Sequence, residues 1–230
     1  MKVIAGVTTK KFPLFLQNTN DLSLVKNQKK IKSLLPGKCF AYLHQVHGGK
    51  VTVLQAAEEF KKPGFYRIPE TDGAITNIPG LTLLAMTADC LSLFFQAPGW
   101  VGVVHAGWRG SQKQITKTAT KLLIKNARCK PEDIKAVFGP SICGRHYEVG
   151  EDFKKYFKAP ALSKRKGKYT LDLVQENLKQ LRSAGVPLKN ISLSKFCTIR
   201  DNKHFYSFRA EKDSAGRMIS FIQLPDKISS

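Results

Sequence analysis

The sequence predicts an α/β (α+β) fold, a single domain over residues 1–230 in which layered mixed β-sheets are flanked by helices. Three observations lead there. Short apolar runs recur along the chain, several without polar alternation, as expected of strands covered on both faces. Two longer stretches place apolar residues at helical spacing and interleave with those runs. No internal repeat or low-complexity linker divides the chain, and 230 residues with 42% hydrophobic content can bury one large core.

In chain order, a short helix is expected near DLSLVKNQKKIKSLL, residues 21–35. Strands are expected at KVTVLQ (50–55), LTLLAM (81–86), LSLFFQ (91–96), WVGVVH (100–105), IKAVFG (134–139), ISLSKF (191–196) and MISFIQL (218–224). KKPGFYRIPETDG at 61–73 reads as a loop because of its prolines and glycines, and the charged spacer around residues 158–168 reads as another. A helix over 111–127 would put Ile115, Ala119, Leu122 and Leu123 on one stripe with Ser111 capping its start. A second over 171–185 would turn Leu171, Val174, Leu178 and Leu181 inward, with Gly185 just past its end.

No apolar segment approaches the roughly 18 residues of a membrane span, and the opening MKVIAGVTTKKFPLF lacks a secretory pattern, so a cytoplasmic protein is expected. Five scattered cysteines without a CxxC pair read as reduced thiols. The net charge of +21 is spread along the chain and attracts anions in general, phosphate and nucleotides included. It comes without an RNP-type aromatic string, zinc-finger spacing or basic zipper, so a dedicated nucleic-acid reader is not expected.

The chemistry gathers where apolar runs break. LTLLAMTADCLSLFF is apolar except around Asp89-Cys90, and WVGVVHAGWRG is apolar until His105. Upstream, His44 and His47 stand beside the Gly48-Gly49 turn that leads into a strand, and only one of the two need serve as a ligand. A cysteine and histidines from separate strand ends suit a zinc site with an open fourth position. A nucleophilic Cys90–His105 dyad would use two of the same side chains. Gly107 and Gly110 allow a tight turn before a helix starting near Ser111, whose N–H groups could receive an anion beside the Arg109 guanidinium; Trp108 reads as packing. Asp72 before Gly73 reads as a turn residue, Ser141 as part of a rigid turn able to line a pocket, and Arg209 as a cation among aromatics.

HQVHG, TDG, ADCLSLFF, GVVHAGWRG, GPSI with YEVG, CT and FYSFRA occur in the order of the YfiH-like family, also known as the laccase-domain or multicopper polyphenol oxidoreductase family and described as purine nucleoside phosphorylases. The sequence resembles that family from about Val3 to Leu224, with ADCL plus HAGWRG the most specific pair. The resemblance implies a metal held by His47, Cys90 and His105, with zinc as cofactor and copper as the alternative. It implies His44, Arg109 and Cys90 as catalytic residues, and Arg109, Gly107, Ser141 and Arg209 in contact with substrate. The implied partners are purine nucleosides (adenosine, inosine and methylthioadenosine) and inorganic phosphate, with adenosine deamination as a second activity and a monomer or weak dimer as the working form.

The chain departs from the family pattern in places. Lys10, and Lys29 or Lys30, stand where the family carries arginines. Ser92 replaces a common proline, and His146 a common cysteine. A copper oxidase acting on phenols would need more imidazoles than the five histidines here provide. A Cys90–His105 hydrolase and a basic RNA- or partner-binding module are the remaining readings.

Overall fold

Strands buried on both faces need cover above and below, and the fold supplies it in four layers. In the computed structural model, which describes residues 3–11 and 21–225, the strands and helices run β1 (Ile4–Val7), α1 (Asp21–Leu34), β2 (Cys39–Leu43), β3 (Val51–Leu54), β4 (Gly64–Ile68), β5 (Gly73–Thr76), β6 (Leu81–Thr87), β7 (Leu91–Ala97) and β8 (Trp100–Ala106). They continue α2 (Trp108–Gln112), α3 (Ile115–Ala127), β9 (Lys135–Phe138), β10 (Glu148–Val149), β11 (Leu162–Arg165), β12 (Lys168–Leu171), α4 (Leu173–Ser183), β13 (Ile191–Ser192), α5 (Phe208–Glu211) and β14 (Met218–Gln223). Residues 1–2, 12–20 and 226–230 of the expected domain lie outside the described residues.

One sheet has the order β1-β14-β6-β2-β4 and the other β13-β9-β7-β8-β5-β3, with a small third sheet β10-β12-β11. The strand β6 shows why its sequence does not alternate. Leu83 and Ala85 pack between the two large sheets with Phe94, Val101 and Val103, while Leu84 and Met86 pack on the outer side with Ile31 of α1. On the far side, Leu93, Phe95 and Val104 meet Ile115, Ala119 and Leu123 of α3 and Leu173 and Leu181 of α4. Each such fully buried Leu, Ile, Val, Phe or Met contributes roughly 1.5–3 kcal/mol of transfer free energy. Among the described residues no helix is long and apolar enough to cross a membrane.

Several expectations need correction. The presumed loop at 61–73 holds β4, paired in parallel with β2, and the spacer around 158–168 holds the β11–β12 hairpin. Backbone pairing there overrides the local turn signals. The run at 191–196 pairs only at Ile191 and Ser192; Leu193 and Phe196 are exposed. The expected helix at 111–127 is two helices, because Gln114 adopts a left-handed φ of 58° and turns the chain between them. Ser111 caps neither; it is buried inside α2, where its Oγ accepts from Asn177 Nδ2 at 2.8 Å. The inward face of α4 is Leu173, Asn177, Gln180 and Leu181, while Leu171 ends β12 and Val174 and Leu178 are only partly buried. The polar pair belongs there because Asn177 also accepts from Thr116 Oγ1 at 2.7 Å and Gln180 Nε2 donates to the Ser111 carbonyl at 2.7 Å. Asp172 caps the helix through the Gln175 N–H, and Gly185 takes a φ of 91° beyond its end.

One feature of the topology positions the site. β2, β4 and β6 are parallel neighbours, so they end on the same side. From each of those ends the chain crosses to the other large sheet: residues 44–50 lead to β3, 69–72 to β5 and 88–90 to β7. The crossings are tied together. His44 N–H donates to the Ile68 carbonyl at 2.9 Å, Thr71 N–H to the His44 carbonyl at 3.1 Å, and the Gln45 amide bonds both N–H and carbonyl of Met86.

Candidate functional site

Each crossing delivers one chemically capable side chain. His47 comes from the first, Asp72 from the second and Cys90 from the third; His105 arrives at the end of β8, which lies beside the starts of β5 and β7. Ligand atoms of His47, Cys90 and His105 all fall within 4.8 Å of one another. The two imidazoles meet edge to face, with centroids 4.9 Å apart. His105 is buried, Cys90 half-buried and His47 exposed, so the cluster opens toward solvent on the His47 side.

The backbone bends to make this possible. His47 has a φ of 56° and Asp89, next to Cys90, a φ of 85°, conformations that side chains other than glycine rarely adopt. Gly107 is glycine for a steric reason: a Cβ there would stand 3.0 Å from Cys90 Sγ and 3.5 Å from His47 Cδ2, inside the cluster.

Asp72, read from sequence as a turn residue, is completely buried and organises the site. Its Oδ1 accepts from the His47 N–H at 3.0 Å and from His105 Nδ1 at 2.8 Å; its Oδ2 accepts from Gly48 N–H at 2.6 Å and Val46 N–H at 3.3 Å. With Nδ1 so engaged, His105 has Nε2 left for the cluster, the arrangement that fixes the tautomer of a metal-binding histidine. Burial works against the Asp72 carboxylate, but the His105 bond and charge and the N–H donors hold it below the usual carboxylate range. Burial likewise opposes the Cys90 thiolate, yet His105 and His47 bring the thiol down to about 6. Burial would neutralise His105; the Cys90 thiolate and Asp72 raise it to about 9 instead. The group is therefore built to hold a deprotonated sulfur.

Around it stand a phenol and guanidiniums. Arg109 is exposed and lies over its own neighbour Trp108 at 4.4 Å, while Trp108 packs on Phe153, with ring centroids 4.9 Å apart. Arg209 on α5 covers the Tyr147 ring at 5.2 Å and donates from Nη1 to the Glu148 carbonyl. Its backbone N–H, and not its guanidinium, meets a carboxylate, Asp89 Oδ2 at 2.6 Å. Burial raises the Tyr147 phenol, the Cys90 charge adds to this, and Arg209 and Arg109 oppose it. Tyr147 thus keeps its proton while feeling the cluster and both cations.

Other expected residues lie differently. His44 is not in the cluster; its Nδ1 accepts from the Glu70 N–H at 3.4 Å. Ser141 is buried and bridged to Cys197. The helix after Gly107 begins at Trp108 and not near Ser111, and it is five residues long. Lys10 is committed to Glu211 at 2.8 Å and lies over Tyr206. Asp72 and Tyr147 are the contributors that sequence reasoning passed over. The signal for each was its place in a motif of the resemblance, TDG for Asp72 and YEVG for Tyr147.

Residues 16–225 match the family described as multi-copper polyphenol oxidoreductase laccase. A purine nucleoside phosphorylase of Deinococcus radiodurans is 38% identical over 192 residues, covering 81% of this chain and 70% of that protein. Purine nucleoside phosphorylase YlmD of Bacillus subtilis is 33% identical, covering 98% and 90%. The crystal structure of the hypothetical protein YfiH of Bacillus licheniformis superposes with a TM-score of 0.82 at 28% identity, covering 96% of this chain and 92% of that one.

Proposed function

Because this chain belongs to the multi-copper polyphenol oxidoreductase laccase family, and relatives similar over most of its length are named purine nucleoside phosphorylases, we propose that it is a zinc-dependent purine nucleoside phosphorylase. Its substrates on this reading are adenosine, inosine and methylthioadenosine, with adenosine deamination as a second activity. The carrying observation is the convergence of His47, Cys90 and His105, oriented by Asp72, beside Arg109, Arg209 and Tyr147. The reading takes residues 1–230 as one cytoplasmic domain that works as a monomer or weak dimer.

The donor set fits zinc: one thiolate and two imidazoles, with space on the open side for a fourth partner. When bound, zinc would supply Lewis-acid polarisation of whatever occupies that position. The protein's own groups do the rest. Arg109 and Arg209 hold phosphate so that one of its oxygens attacks C1′ of the ribose as the bond to the base breaks. Their charges also balance the anion as the sugar becomes positive. Tyr147, kept protonated, offers a hydrogen bond to the departing base, and the proton the base carries away is supplied by the attacking hydrogen phosphate. Cys90 acts as a ligand, Gly107 admits the close approach of the ligands, and Ser141, next to the Ile142 that bonds Asp89, is the residue that would face substrate. His44 positions the first crossing.

Copper chemistry on phenols is the second reading, since a Cys-His-His set can also hold copper. Metal analysis finding several coppers per chain would favour it. For a Cys90 hydrolase, alkylation of Cys90 would be fast with metal present; a ligand thiolate is protected until chelator is added. The direct test incubates zinc-replete protein with adenosine, with and without phosphate. Phosphate-dependent adenine, hypoxanthine and ribose 1-phosphate, and phosphate-independent inosine, are the expected products. Absence of both sets refutes the proposal.

A further inference from the structure

A second cluster stands apart from the first. Cys143, His146 and Cys197 bring three ligand atoms within 4.8 Å of one another, with Cys143 Sγ 3.3 Å from His146 Nδ1 and that nitrogen 3.3 Å from Cys197 Sγ. Neither the proposed phosphorolysis nor deamination uses them. We propose that these three side chains form a second zinc site, which clamps the turn after β9 to the long connection between β13 and β14.

Ligand chemistry supports a cation here. Tetrahedral zinc with ordinary bond lengths separates its sulfur and nitrogen ligands by roughly 3.5 Å, close to the two spacings observed. Cys143-Gly144-Arg145-His146 places two donors at C-x-x-H spacing on a tight turn, closed by the His146 N–H to the Cys143 carbonyl at 2.9 Å. Backbone N–H groups of Arg145 and His146 point at Cys143 Sγ, and those of Cys143 and Arg200 at Cys197 Sγ. N–H donors aimed at sulfur favour thiolates, the form that binds metal; at Cys143 burial and the neighbouring Cys197 outweigh them and raise the thiol, so there a cation would have to displace the proton. Asp201 holds the Cys197 backbone through its N–H at 2.8 Å.

The surroundings fix what completes the site. Two thiolates neutralise a divalent ion, so the site carries no excess charge of its own. Cys143 and His146 face an open cavity of about 710 Å³ that is also lined by Arg145, Arg165 and Arg200. A fourth ligand arriving from that side meets guanidiniums, which select water or a small anion over a cation. The clamp also bears on the first cluster. Ile142 N–H donates to the Asp89 carbonyl and Thr198 Oγ1 to Asp89 Oδ1 at 2.5 Å, and Asp89 precedes Cys90. An ion joining 143, 146 and 197 would therefore hold the strained backbone at Asp89 from both sides.

The test is metal stoichiometry of the full chain, purified under reductant, stripped with chelator and titrated with Zn²⁺ alone or with Co²⁺ as an optical probe. Wild type should take two equivalents. Cys143→Ser and His146→Ala should each take one; His146 is exposed, so that variant should keep the wild-type circular dichroism even if Cys143→Ser does not. Cys90→Ala should also take one, leaving the thiolate-to-cobalt absorption of the two-sulfur site. If Cys143→Ser and His146→Ala keep all the metal that wild type binds, the inference fails. One equivalent in wild type, lost in His146→Ala and untouched by Cys90→Ala, would uphold this site while refuting the first.

Discussion

Replacing Asp72 with asparagine keeps the shape of the side chain and changes what its oxygens can accept. Each carboxylate oxygen now takes two donors: His47 N–H and His105 on one, Val46 and Gly48 N–H on the other. Whichever oxygen becomes an NH₂ group, two donors face a donor at a fully buried position. At about 1–3 kcal/mol for each unsatisfied buried group, Asp72→Asn should lose about 2–6 kcal/mol of stability. That is a large share of the roughly 5–15 kcal/mol typical of folded domains. Zinc affinity should fall about 10–100-fold, because His105 loses the partner that orients its ring. Urea denaturation of the metal-free variant measures the first effect, and competition with a chromophoric chelator the second. A loss under about 1 kcal/mol with unchanged zinc affinity would show that the carboxylate does not hold these loops.

Three further substitutions probe neighbouring features. Gly107→Ala puts a Cβ 3.0 Å from Cys90 Sγ and should weaken zinc binding in the chelator assay, with an overpacking cost of about 1–3 kcal/mol in urea. Asn177→Leu strands the Ser111 and Thr116 hydroxyls between α2, α3 and α4, and should cost about 2–4 kcal/mol by the same denaturation measurement. Ser92 Oγ is buried without a hydrogen-bond partner among the described residues, so Ser92→Ala should raise the thermal midpoint, by about 1–2 kcal/mol in stability; a lower midpoint would mean the hydroxyl is satisfied after all.

The sequence discloses burial more readily than pairing. The runs at 81–86, 91–96 and 100–105 stand out because both faces of β6, β7 and β8 are covered, leaving no polar alternation. β4 and the β11–β12 hairpin are hidden because Pro63, Gly64 and Gly167 carry local turn signals, and pairing with distant residues outweighs them. His47, Cys90 and His105 are conspicuous as breaks in apolar context. Asp72 is not, because an aspartate before glycine looks the same whether it ends a turn or receives four hydrogen bonds. The Cys143–His146–Cys197 group is invisible for a related reason. Its members are 51 positions apart at the closest long-range bond, and tertiary contacts such as the bridge between Ser141 and Cys197 bring them together.

The three passages from one large sheet to the other carry His47, Asp72 and Cys90, so the seam of the architecture and its reactive centre are the same piece of chain. An excerpt that keeps one passage without its companions loses part of the centre and a wall with it. Transplanting the chemistry to a smaller scaffold would mean transplanting both sheets.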